Sequence, residues 1–256
     1  MPAFPNDVLQ AESCHGDLLL QVCAGDARHA DAMVKDLLSV VGSGLRERWR
    51  ISGFRPQNAT VSGLSTSRNL FGFREGAGNP DPTDAALMNE LVWVGDGEPR
   101  WAAGGTYAVV RLIRLATTLW NREPVSRQEQ VIGRTRTGDI PLGQVREDAV
   151  FDYADDPDGQ RVALDAHIRR ANPRIEEALQ HRMLRRGYSY RRAGPTTGEP
   201  DEGLIFVCYQ RDPERAFAAA QHRMRGEALE RYVLPFGGGY FFVPPSVTAL
   251  RDLLAG

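Results

Sequence analysis

Lysine is almost missing from this sequence. Lys35 is the one lysine among 31 basic residues, so the other 30 are arginines. Such a bias is what a GC-rich genome produces, and it weakens any single arginine as a sign of anion recognition, although guanidinium forks do hold carboxylates in pairs. Excess charge of either sign is also absent. The formal net charge is −2 and the isoelectric point is about 6.2. No basic stripe stands out, which excludes the electrostatic footprint of a nucleic-acid binder. Cysteine is scarce: Cys14, Cys23 and Cys208 follow no C-x-x-C spacing, so neither a disulfide framework nor a zinc site is implied, and small buried side chains are the expectation. No run of 18 apolar residues occurs, so no transmembrane helix and no membrane partner are expected. The opening Met1-Pro2-Ala3-Phe4-Pro5-Asn6-Asp7 has no basic n-region, apolar h-region or twin arginine. The chain as written therefore reads as cytoplasmic, with export left open should residues precede it.

What remains is an ordinary globular composition: 256 residues, 42% hydrophobic and 25% charged. That is enough for a sizeable core in one large or two small domains. Residues 17–23 form an apolar run that fits a strand. Asp26 is placed to cap a helix whose inner face would carry Ala30, Met33, Val34, Leu37, Leu38 and Val41. Residues 45–54 alternate towards a second strand. Residues 55–105 are rich in Gly, Pro, Asn and Ser but carry Phe71, Phe73, Trp93 and Trp101, so they are expected to pack rather than float. Residues 105–115 read as a strong strand, followed by a helix through Leu119–Trp120. Ser126 and Glu129 have capping-box spacing. A polar excursion over 134–165 precedes a further strand at Leu204–Tyr209, a helix over Pro213–Arg225 and a last strand at Tyr240–Val243. Strand–helix–strand order in both halves predicts an α+β protein.

Three segments carry chemistry. In Arg68–Pro80, close glycines would let backbone lie against a flat ligand, phenylalanines would wall it, and Glu75 would be a lone carboxylate among apolar groups, fit for proton transfer if burial raises its pKa. A solvated glycine-rich turn is the plainer alternative. Asp165–Arg174 sets His167 beside three arginines, Arg169, Arg170 and Arg174. Met183–Tyr190 holds Arg185 and Arg186, and reads equally as a basic helix end followed by a strand.

Taken together, these segments resemble the dye-decolourising peroxidases, a family of haem peroxidases. Gly72-Phe73-Arg74-Glu75-Gly76, after Asn69-Leu70-Phe71 and before Asn79-Pro80, occupies the slot of the family's GxxDG motif. His167 to Arg174 matches its His-x-Arg-x-Ala-Asn-Pro-Arg run, and Leu184 to Tyr188 its Leu-Arg-Arg-Gly-Tyr context. The resemblance runs from about Asp17 to Pro245. It implies two ferredoxin-like halves with antiparallel sheets, of the dimeric α+β barrel type. Residues 1–104 would be the remainder of the first half plus the haem-contacting loop, and 105–256 the second half with the haem site. Family members carry a further segment ahead of the point that matches Met1, so the first half is expected to be incomplete, which leaves room for a homo-oligomer that covers the gap.

For chemistry, the resemblance implies one haem b per chain, held on the proximal side by His167 with a carboxylate behind it. Glu230 is the favoured candidate there over Asp165. Glu75 would shuttle the peroxide proton and Arg185, in preference to Arg186, would stabilise the charge that develops as the O–O bond splits. Phe73, Arg74, Gly76 and Gly78 would contact the cofactor, and Arg134 and Arg169 would pair with its propionates. Hydrogen peroxide and an aromatic reductant, a dye or phenol, are the implied substrates, with electrons entering through surface residues such as Tyr188, Trp93, Trp101 or Trp120. The family has Asp where this chain has Glu75, and one methylene adds ~1.5 Å of reach. That departure keeps a second reading open, a haem-handling protein with weak peroxidase turnover.

Overall fold

A computed structural model describes residues 1–55, 60–61, 64–65, 67–95, 101–146, 149, 152–192 and 200–255. The strands are β1 (Thr60–Val61), β2 (Leu64–Ser65), β3 (Thr106–Leu115), β4 (Leu184–Arg185), β5 (Tyr188–Arg192), β6 (Asp201–Gln210) and β7 (Val233–Val243). The helices are α1 (Ala27–Val41), α2 (Ala85–Leu91), α3 (Thr117–Trp120), α4 (Val125–Ile132), α5 (His167–Ala171), α6 (Glu176–Leu179), α7 (Ala219–Met224) and α8 (Val247–Ala255). β1 and β2 pair as a short hairpin. The other five strands form one antiparallel sheet in the order β4-β6-β3-β7, with β5 also on β6. The architecture is α+β with an antiparallel sheet, as the sequence implies.

β3 is the spine of the sheet. Its Val109, Val110 and Leu112 are buried between β6 and β7, as a β-branched, apolar run dictates. Val110 and Leu112 pack with Tyr190, Ile205, Val207 and Phe236 on one face, while Val109, Cys208 and Phe217 pack on the other. A third cluster puts Phe71 and Phe73 against Trp120, whose ring stacks on Phe71 at 4.5 Å. The N-terminal residues run along β7: Val8 and Gln10 donate backbone N–H groups to Pro235 and Phe236, and His15 to Gly238. Asp7 forms a fully buried ion pair with Arg111 of β3.

Several local expectations need correction. Residues 17–23 join no ladder, and Leu18 and Leu20 are exposed. Residues 45–54 share hydrogen bonding with the sheet at an isolated bridge of Phe54 to Ser189, while Trp49 and Ile51 pack against its apolar face. Asp26 does cap α1, accepting from the His29 N–H at 3.0 Å, but no residue of that helix is buried. Ser126 is no cap, because α4 already begins at Val125 with Pro124 in the N-cap position; Glu129 instead accepts from the Arg136 N–H. The helix over 213–225 opens with a π-helical turn, Glu214–Ala218. The last strand begins at Val233 rather than Tyr240, carrying Pro235 beside a register shift.

Candidate active site

The loop of Ser67–Pro80 is held by its own polar groups. Arg68 pairs with the buried Asp139 at 2.8 Å and donates to the carbonyls of Gly72 and Arg136. Asp139 also accepts the Arg74 N–H. The Asn69 carboxamide oxygen accepts the N–H groups of Phe71 and Phe73, an Asx-type arrangement that bends the chain back. Gly76 and Gly78 have φ of 84° and 75°, a region that side-chain-bearing residues avoid. The ring of Phe73 is buried edge-on to Trp120, so it stiffens the loop from behind.

This loop interlocks with the segment after α6. The Asn79 side chain donates to the Arg185 carbonyl at 2.8 Å, and its oxygen accepts from the Arg185 N–H and Nε, both at 3.2 Å. Arg185 Nη2 donates to the Ala77 carbonyl at 2.6 Å. Arg185 is itself fixed in β4, opposite Cys208. Beyond it, Gly187 makes room for Glu75: a Cβ at 187 would lie 2.8 Å from Glu75 Oε1. Glu75 accepts weakly from Asn69 at 3.4 Å and shares a recess with Phe54, Arg55 and Tyr188. Glu75 and Arg185 thus come to one place, whereas Arg186 is exposed.

His167 opens α5. Its Nδ1 bonds the Glu227 carboxylate at 2.8 Å, with the carboxylate buried and the imidazole 29% accessible. Burial opposes protonation of His167, but the Glu227 charge and hydrogen bond outweigh it and hold the imidazole above its ordinary value. Arg185 pulls the other way and Glu75 reinforces Glu227.

The carboxylate behind His167 is therefore Glu227, not Glu230. Glu230 folds back to accept the Gly226 N–H at 2.8 Å, and its neighbours are set by a tight turn of Ala228–Tyr232. Asp165 contributes its carbonyl rather than its carboxylate, accepting from the Ala228 N–H and so fixing Glu227 next door. Sequence spacing could not separate 227 from 230, because both stand in one short turn.

Arg169 and Arg134 are both built into the protein. Arg169 donates to the Asp156 carboxylate at 3.1 Å, to the Asp156 carbonyl at 2.7 Å and to the Val162 carbonyl at 2.8 Å, and lies over the Tyr153 ring. It staples α5 to the 156–162 loop. Arg134 is buried, donates to the Asp139 carbonyl at 2.6 Å, and lies beside Gly78. Asp156, missed in the sequence, binds the N–H groups of Arg161 and Val162. Those bonds and Arg169 together lower its pKa against the opposing effect of burial.

A five-membered nitrogen ring with Nδ1 tied to a buried carboxylate presents Nε2 as a neutral donor, and among the described residues Nε2 has no partner. This chemistry fits a haem iron.

Comparison with known proteins agrees. The profile of the Dyp-type peroxidase C-terminal domain matches residues 66–248, and that of the N-terminal domain matches residues 1–55. A deferrochelatase of Escherichia coli O6:K15:H31 is 46% identical over 257 residues, covering 99% of this chain and 61% of its own length. The chain thus spans about three fifths of the curated relatives it matches. Among solved structures, ferric DtpA from Streptomyces lividans superposes with a TM-score of 0.89 at 33% identity, covering 100% of this chain and 70% of that one. A DyP-type peroxidase from Cellulomonas bogoriensis superposes at 0.85 with 37% identity, over 96% of this chain and 67% of that one. Two domain profiles, a 46% identical relative and a shared fold lead to one conclusion: the chain belongs to the Dyp-type peroxidase family.

Proposed function

We propose that this chain is a haem-dependent peroxidase that reduces hydrogen peroxide while oxidising dyes or phenols. The observation that carries this reading is the histidine held by a buried carboxylate, beside a glycine-rich loop that carries Glu75 and is interlocked with Arg185 through Asn79 and Ala77. Haem b, when bound, supplies the iron on which peroxide is reduced. Glu227 fixes the His167 tautomer, keeping the proton on Nδ1 and the lone pair on Nε2. Glu75 takes a proton from one peroxide oxygen and returns it to the other. Arg185 stays charged and steadies the negative charge that builds up during O–O cleavage, while Asn79 and the Ala77 carbonyl hold its guanidinium in place. Arg74, Gly76 and Gly78 would line the cofactor, with Arg134 next to a propionate. Arg169 would act on the cofactor through α5, since its terminal nitrogens already serve Asp156 and Val162.

A second reading is haem handling with weak peroxide turnover. It is favoured by the name deferrochelatase carried by the 46% identical relatives and by Glu75 in the aspartate slot. Haemin titration of the purified chain, then peroxide, watched in the Soret region, separates the two. Saturable binding abolished in His167→Ala, followed by a fast peroxide-driven change that slows in Glu75→Gln, is the result expected of a peroxidase. Saturable binding with slow bleaching alone supports haem handling, and absence of specific binding refutes both.

A further inference from the structure

The recess that holds Glu75 is also lined by Tyr188, and the hydroxyl of Tyr188 leads to a thiol. Cys23 Sγ lies 3.6 Å from Tyr188 Oη, within hydrogen-bond range for sulfur. Gln21 joins the pair: its carboxamide N–H donates to Tyr188 Oη at 3.2 Å and to Cys23 Sγ at 3.7 Å, while its oxygen accepts from the Tyr209 hydroxyl at 2.9 Å. Tyr188 and Tyr209 stand on β5 and β6, far from Cys23 in sequence, so this is a built cluster of two phenols and a thiol that ties the start of the chain to the sheet. The other two cysteines, Cys14 and Cys208, are buried, whereas Cys23 is exposed. Tyr188 is among the surface aromatics through which the family resemblance brings in electrons; Cys23, Gln21 and Tyr209 have no part in the peroxide mechanism above.

We infer that Cys23 and Tyr188 form an outlet for oxidising equivalents, through which peroxide turnover oxidises the exposed Cys23 thiol. The inference rests on the peroxidase reading. Tyr188 loses one electron to the peroxide-oxidised site and its hydroxyl proton to the recess, leaving a phenoxyl radical. The Cys23 S–H, in contact with that oxygen, passes its hydrogen atom across; the phenol is restored and the unpaired electron moves to sulfur. Two such sulfurs on two chains couple. In total, two thiols and one hydrogen peroxide give one disulfide and two waters. Burial, then the Cys23 contact, holds Tyr188 above its ordinary pKa, so the neutral phenol that this sequence of steps needs is the form present at neutral pH. Thiol oxidation through the relay needs no thiolate, unlike direct attack by a cysteine on peroxide.

The test uses the full chain loaded with haemin and treated with peroxide in the absence of added reductant. Non-reducing electrophoresis and peptide mass spectrometry then read Cys23. The expected result is a Cys23–Cys23 dimer and loss of the Cys23 free thiol, with Cys14 and Cys208 unchanged. Tyr188→Phe should reduce Cys23 oxidation to the level of the haem-free chain under the same peroxide. Cys23→Ser should abolish the dimer, leave oxidation of a small phenol unchanged, and move spin-trap adducts or hydroxylation onto Tyr188; this variant keeps the test sharp should Tyr188→Phe fail to fold. Equal Cys23 oxidation in the haem-free chain, or in Tyr188→Phe, overturns the relay. So does a chain that turns over a small phenol while Cys23 stays reduced, and that outcome leaves the peroxidase reading standing. A loaded chain that consumes no peroxide removes both.

Discussion

Gly187→Ala is expected to impair turnover without unfolding the protein. The new Cβ would stand 2.8 Å from Glu75 Oε1 and 3.1 Å from both Glu75 Cδ and Leu204 Cδ1. Ordinary contact distances of about 3.5–4.0 Å then require the carboxylate to recede by about 0.7–1.2 Å. A misplacement of about 1 Å at a reacting group costs on the order of 10²-fold in rate, or about 2.7 kcal/mol of barrier. The colliding atoms are the ends of flexible side chains, and residue 187 is not among the positive-φ glycines. Alanine there restricts the unfolded chain, worth about 0.4–1 kcal/mol in favour of the fold, so stability should stay close to that of the parent. Peroxide-dependent dye oxidation by the haem-loaded variant, with thermal unfolding alongside, measures both effects. Glu75→Asp supplies the control, because withdrawing the carboxylate by ~1.5 Å takes it out of the methyl's reach. Gly187→Ala should therefore be nearly harmless when combined with Glu75→Asp, a large non-additivity between neighbours. Equal rate losses with and without Glu75→Asp, or an activity loss that merely tracks a lower melting temperature, would refute the steric argument.

Other outcomes follow from the same geometry. Glu227→Gln removes the charge that outweighs the burial of His167; the imidazole pKa of the haem-free chain, read by NMR, should fall, and haemin affinity should drop about 10–100-fold. Because the folded pKa of His167 is raised, its contribution to stability in the haem-free chain is fully present below pH 6.5, the unfolded value, and is lost as pH rises through the higher folded value. Haemin binding needs the neutral ring, so affinity should climb across that same window, and a flat haemin titration between pH 6 and 9 (about the range that brackets it) would contradict this. Asp156→Asn and Arg169→Leu should weaken haemin binding to the same extent, and the double variant should be no worse than either, since both break the Asp156–Arg169 link; a loss confined to Arg169→Leu would put its guanidinium on the cofactor instead.

The central strand β3, its partner near Leu204–Tyr209 and the capped α1 were legible, because apolar runs and an Asp N-cap signal locally. So were His167, Glu75 and Arg185 as candidates, through motifs. What could not be read was set at a distance. Residues 17–23 look like a strand by pattern, yet pattern cannot say whether a neighbour exists to pair with them. Glu227 was missed in favour of Glu230 because the Asp165 carbonyl, 62 residues earlier than Glu227, decides which carboxylate turns towards His167. Asp156 gave no signal at all: an aspartate in a Gly- and Asp-rich excursion looks ordinary until Val162, Arg161 and Arg169 converge on it. Gly187 reads in the sequence only as a motif letter; its purpose is plain once the Glu75 carboxylate is seen where its side chain would be.

The two sides of the site hang on different anchors. Arg185 and Gly187 flank the point where β4 ends on β6, in register with Tyr209 and Cys208, and Asn79 ties the Glu75 loop to that strand. His167 hangs from a short helix, α5, held by Arg169, Asp156 and Glu227 outside the sheet. In the proposed mechanism Glu75 would move the proton from a loop that is held to β4 through Asn79, and that transfer is sensitive to about an ångström of misplacement. His167, at the start of α5, needs only to present one nitrogen, and a metal–ligand bond can draw a donor into place. It follows that substitutions around Glu75 and Arg185 should change turnover while haemin affinity holds, and substitutions around Glu227 and Asp156 should do the reverse. That separation also bears on the two functional readings. Glu75 is longer than aspartate, but Gly187 opens the space for the extra methylene, so the longer carboxylate is accommodated rather than misplaced. A site with that accommodation retains the means of moving a proton, which is what a peroxidase requires and a haem carrier does not.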